Sequence, residues 1–115
     1  IRVQMKKLFT NYNFQFDKNE KKLIITFCRQ TLKQIEGDNK YFAESRAFNS
    51  IIDKLNGSDE TIKFTKDERT RLSHQLEENI KYLKNQTKKS WFVKKWLYKS
   101  MLKQYENILN AHFKD

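Results

Sequence analysis

The chain has 115 residues, with 24 Lys or Arg against 14 Asp or Glu, a net charge of +10, and a single cysteine. That length sets one domain with a modest core and leaves no room for a second. One thiol excludes a disulfide framework and a cysteine metal cluster, and it suits a reducing, cytoplasmic compartment.

Nine Phe, five Tyr and two Trp supply enough apolar surface to exclude disorder, although a third of the residues are charged. There is no proline, and Gly37 and Gly57 are the only glycines. An all-β fold needs turn glycines at every hairpin, so the expected class is mainly all-α: about four helices in a small bundle with a short extended N-terminal segment. Nothing reads as a secretory signal or a membrane span. Met5, followed by Lys6 and Lys7, is taken as the natural start, with residues 1–4 a remnant ahead of it.

Leu8–Phe16 ends in alternation (Tyr12, Phe14, Phe16), which predicts a short strand or an extended segment lying on the core. Asp17 and Glu20 then form a capping box. Behind it Leu23, Ile24, Phe27, Cys28, Thr31, Leu32 and Ile35 share one broad face of a helix over 18–36, and Gly37 suits the left-handed residue after its end. The β-branched run at 23–27 admits a rival, a strand returning in a hairpin at 17–20. The cap and the long period favour the helix.

Asp38 is expected to cap a second helix, Asn39–Leu55, with Tyr41, Ala47, Phe48, Ile51, Ile52 and Leu55 inward and Asn56-Gly57 closing it. Thr61–Phe64 is short and extended. Thr65 and Glu68 form a second capping box, and the helix they open carries a narrow stripe of Leu72, Leu76, Ile80 and Leu83. The last helix runs to about Phe113, with Trp91, Leu97, Tyr98, Met101, Leu102, Tyr105, Ile108, Leu109 and His112 on its core side. A single helix from Lys66 to Phe113 would be about 72 Å long at 1.5 Å per residue, so a monomer needs a turn near Thr87–Ser90. A homodimer could use the unbroken rod.

Charge is concentrated in one stretch. From Asn79 to Tyr105 there are eight lysines and no Asp or Glu, so this segment carries +8 of the +10. Within it, KKSWFVKKWLYKS (88–100) holds five lysines, two tryptophans, a phenylalanine and a tyrosine. At about 100° per residue, Phe92 and Trp96 fall on the solvent side of the last helix among Lys95, Lys99 and Lys103. Large aromatics ringed by cations suit partner docking, the rings anchoring and the charges steering. The candidate partner-binding residues are therefore Lys88, Lys89, Phe92, Lys95, Trp96, Lys99 and Lys103. The bland reading packs both rings against the chain itself, with lysine stems draped over them.

An acidic protein surface or nucleic acid fits this charge best, and an anionic membrane surface ranks below them. With five arginines in the chain and no helix-turn-helix, RNA-recognition or zinc motif, any nucleic acid would be bound with modest sequence preference. Catalysis is not expected, and neither is a cofactor or metal. His74 is expected exposed, His112 on the core side as a satisfied interior histidine, and Cys28 in the core. Neither a base–nucleophile pair nor metal spacing links them, and Glu77 and Glu78 pair with Lys81 as ordinary surface charges.

The run AFNSIIDKLNGSDETIKFTKDERTRL (47–72) resembles in style small proteins of low-GC bacteria and their phages, which implies origin only. Bacteriocin-immunity proteins are small basic four-helix proteins of that kind. The class likeness carries no residue over, but it supports a membrane-associated alternative. The expectation is a small basic non-enzymatic binding or regulatory protein, encoded by a phage or mobile element, that docks its Lys/aromatic helix face on an acidic partner, nucleic acid or a protein that handles it. The third alternative is a structural or oligomeric helical protein with a solvated basic face.

Overall fold

The structure, a computed structural model, describes residues 12–89 and 91–113, and the side chains of Tyr12, Phe92 and Val93 lie outside that description. The expected start at Met5 and the extended run from Leu8 to Asn11 also lie outside the described residues. The fold is mainly α, with four α-helices and one two-stranded ribbon among the described residues. It divides into two compact units, one ending at Arg71 and one beginning at Leu72.

The first unit opens with strand β1 (Tyr12–Phe14). Helix α1 (Lys18–Ile35) follows, and its capping box is complete: the Glu20 amide donates to Asp17 Oδ1 at 2.7 Å and the Asp17 amide to Glu20 Oε1 at 3.0 Å. The helix reading of 18–36 therefore holds, and no hairpin forms at 17–20. Ile24, Phe27, Cys28 and Thr31 are buried along one stripe, with Leu23, Leu32 and Ile35 half-buried at its borders. Gly37 closes the helix at φ +81°, a conformation that glycine adopts without Cβ strain.

The second helix begins later than the sequence suggests. Asp38 caps a 3₁₀ turn, Asn39–Tyr41, by accepting from the Lys40 amide at 3.2 Å, and helix α2 proper is Phe42–Asn56. Ala47, Phe48, Ile51, Ile52 and Leu55 are buried as expected. Tyr41, expected inward, is exposed. It belongs to the 3₁₀ turn, whose three residues per turn break the 3.6-residue phase used to place it. Helix α1 packs along α2.

Strand β2 (Ile62–Phe64) pairs antiparallel with β1, Tyr12 opposite Phe64 and Phe14 opposite Ile62. Phe14, Phe16 and Phe64 then meet in a buried cluster, the first two stacked with centroids 5.4 Å apart and Phe64 5.1 Å from Phe14. Offset aromatic pairs of this kind add about 0.5–1.5 kcal/mol beyond their buried area.

Helix α3 (Lys66–Lys89) opens on the second capping box, the Thr65 amide donating to Glu68 Oε1 at 2.8 Å and the Glu68 amide to Thr65 Oγ1 at 3.1 Å. Glu68 is itself buried, and it also accepts from Ser50 Oγ and Lys54 Nζ of α2. Arg71 bridges Asp67 and Glu44 nearby.

In the second unit Leu72, Leu76, Ile80 and Leu83 are all buried along α3, together with Thr87, whose hydroxyl donates to the Leu83 carbonyl at 2.7 Å. The helix stops at Lys89, Trp91 is extended (φ −61°, ψ 159°), and helix α4 (Phe92–Ile108) begins behind it. The unbroken rod is not formed. A wide π-type turn, Leu109–Phe113, ends the described chain, and Tyr105, Ile108, Leu109 and Phe113 are buried.

Cys28 sits with no exposed surface on the inner face of α1, and burial pushes its thiol pKa up to about 12. Only the thiolate attacks disulfide reagents, so Cys28 is expected to be silent toward such a reagent in the native protein and to react stoichiometrically in denaturant. A fast native reaction would mean that α1 does not bury this residue.

Candidate functional site

Helix α4 sets the geometry of the basic segment. Among its described side chains the buried ones lie at its C-terminal end, and Trp96 stands nine residues before Tyr105, half a turn away around the axis at about 100° per residue. Trp96 is 73% exposed, so its ring lies outside the core as expected. Phe92, one turn earlier and its expected companion, has a side chain outside the described residues.

Two residues depart from their expected side. Trp91 is 82% exposed and Leu97 51% exposed, although both were placed on the core side of the last helix. Trp91 is the extended residue before α4, so helical phase does not apply to it. Leu97 is in phase, but burial fades toward this end: Tyr98, Met101 and Leu102 are only half-buried, and Leu97 lies beyond them. His74 is exposed, as expected, and His112, expected inside, is half-buried.

The lysines divide by role. Lys88 and Lys89 are exposed in the last turn of α3, where positive charge is favoured by the carbonyl end of the helix. Lys94 and Lys95 occupy the opposite situation. They sit in the opening turns of α4, which has no acidic residue in its first turn and no side-chain cap at Trp91. A cation there opposes the helix dipole at about 0.3–1 kcal/mol each at low ionic strength. Helix stability gives no reason for these two charges.

Lys95, Lys99 and Lys103 follow at intervals of four, forming one ridge with about 6 Å of rise between successive positions. Lys99 and Lys103 are exposed, Lys95 is half-buried, and Trp96 borders the ridge three residues from Lys99. The nearest acidic residue in sequence after Glu78 is Glu106, and Glu78 already pairs with Lys81 at 3.5 Å. Among the described residues, Lys84, Lys88, Lys89, Lys94, Lys95, Lys99 and Lys103 make no ion pair.

The other exposed aromatics are differently placed. Phe42 and Tyr41 lie in the first unit, each with a cation over its ring, Arg46 at 6.0 Å and Lys40 at 5.2 Å. An open cleft borders Phe42 and Arg46 and reaches Glu68, the one buried carboxylate among the described residues. Burial alone would raise the Glu68 pKa. Hydrogen bonds from Lys54, Ser50 and the Thr65 amide, with the Lys54 charge, outweigh it and hold the carboxyl below its ordinary range. This hub was not foreseen beyond its capping role. The available signal was a Glu at the capping-box position with Lys54 and Ser50 on the preceding helix.

Among the described residues, no group of three His, Cys, Asp or Glu is arranged to hold a metal, and no helix is long and apolar enough to cross a membrane. No protein family, curated protein or solved structure matches this chain.

Proposed function

We propose that this chain is a small non-enzymatic binding protein that docks the Lys/aromatic surface of residues 88–103 on an anionic partner, nucleic acid or the surface of a protein that handles it. One observation carries the reading: Trp96 stands 73% exposed beside the Lys95, Lys99 and Lys103 ridge, inside a stretch of +8 without an acid. Exposed tryptophan is costly in water and is a favoured anchor at interfaces, while unopposed lysines raise the local concentration of polyanions. A cytoplasmic setting and an origin in a phage or mobile element of a low-GC bacterium belong to the same reading.

A second reading, a membrane-associated protein, draws on Leu97, exposed beside Trp96 where an aliphatic side chain would meet lipid. Self-association through this face is disfavoured, since two copies would bring like charges together.

The test is binding of a fluorescent mixed-sequence DNA or RNA, measured by anisotropy across salt. Binding is expected to weaken steeply between about 50 and 200 mM salt and to be lost in Lys95/Lys99/Lys103→Glu, with the circular dichroism of the folded protein unchanged. Undiminished binding by the triple variant removes this surface from the function. Silence toward nucleic acid, with sedimentation on anionic vesicles, transfers it to the membrane.

A further inference from the structure

Resting on the reading above, we infer that the partner is a single strand of nucleic acid with unpaired bases, held by its backbone on the Lys95–Lys99–Lys103 ridge with one base stacked on Trp96. Trp96, Lys99 and Lys103 lie on the exposed face of α4 turned away from Tyr105, and Lys95 continues the ridge at the half-buried border of that face. Such a face offers cations and a flat π-surface at the same time, the combination that unstacked strands require.

A duplex fits less well. Its base faces are buried in the stack, so an exposed indole gains nothing there, and its groove edges are read chiefly by Arg, Asn and Gln. Residues 79–105 contain no arginine. Lysine contacts phosphate as a point charge, so the strand would be held with little regard to sequence.

A bilayer also fits less well. Trp96 and Leu97 have apolar residues only one turn before them, at positions 92 and 93. Beyond them the same side of α4 continues as Lys99, Ser100, Lys103, Gln104 and Asn107. A helix lying in a lipid interface needs a continuous apolar stripe. Here the stripe ends after about two turns.

The experiment uses the full chain and a mixed-sequence single strand of roughly 16 nucleotides, the same strand annealed to its complement, and vesicles of phosphatidylglycerol with phosphatidylcholine. The strand is expected to bind at least tenfold tighter than the duplex. In a Trp91→Phe background the remaining Trp96 emission is expected to be quenched as the strand saturates. Trp96→Ala is expected to weaken strand binding by about 5- to 150-fold, the range for one lost base stack.

Lys95/Lys99/Lys103→Gln is expected to flatten the dependence of log K on log salt by about 2, close to ~0.7 per lysine on a single strand. Equal or tighter binding of the duplex overturns the inference, and so does strand binding indifferent to Trp96. In both cases salt-dependent, ridge-dependent binding would leave the broader reading intact. Binding to the vesicles alone, with Trp96 emission shifted to the blue, overturns both.

Discussion

Phe48→Ala is expected to destabilise the protein by about 3–5 kcal/mol, the range for removing a buried aromatic ring and leaving a cavity. Phe48 has no exposed surface and lies mid-way along the inner face of α2, the helix against which α1 and β2 both pack. A small domain holds about 5–15 kcal/mol in total, so the variant would lose a large part of its margin. Phe42→Ala provides the control. That ring is on the same helix but 65% exposed, and its loss is expected to change stability by no more than about 0.5 kcal/mol. Urea titrations followed by circular dichroism at the helix band measure both. Similar midpoints for the two variants would contradict the burial assigned to α2.

The second large effect is at Glu68. Its carboxylate accepts from the Thr65 amide, Ser50 and Lys54, closing the N-terminus of α3 and joining it to α2. Glu68→Ala removes the acceptor from all three and is expected to lose about 2–3 kcal/mol. The Lys54 pair contributes the smaller share, because the lysine side chain remains a third exposed and solvent screens it.

The pH dependence follows from the lowered pKa. A carboxyl with a folded pKa below its unfolded one adds stability that is complete above the ordinary glutamate value, about 4.3, and vanishes as pH falls through the folded value. Wild-type protein is therefore expected to lose stability more steeply below that point than Glu68→Gln, which has no charge to lose. Urea midpoints collected over acidic pH test this, and parallel profiles would show that Glu68 is not held as an anion.

Much of the local architecture is written in short spacings. Asp17 with Glu20, and Thr65 with Glu68, are three residues apart, so both helix starts could be read from the chain and both are found. The stripe from Leu72 to Leu83 and the inner face of α2 from Ala47 to Leu55 follow the 3.6-residue period, and all of these residues are buried. Trp96 was legible as a solvent-side ring for the same reason. Two of the residues that depart from their expected side lie where that period stops. Tyr41 lies in a 3₁₀ turn and Trp91 in extended backbone, and neither obeys the phase of the helix that follows it.

By itself, then, the sequence determined the mainly helical class, the helix caps, the core stripes and the acid-free basic segment, because each depends on neighbours within one or two turns. Tertiary structure decided the pairing of β1 with β2, the embrace of Glu68 by Ser50 and Lys54, and the depth to which α4 is covered. These join residues from about a dozen to fifty places apart, and no local period carries that information. Leu97 shows the difference most plainly: its helical phase points it inward, yet burial is a property of what covers a face, and among the described side chains of α4 that cover is complete only from Tyr105 onward.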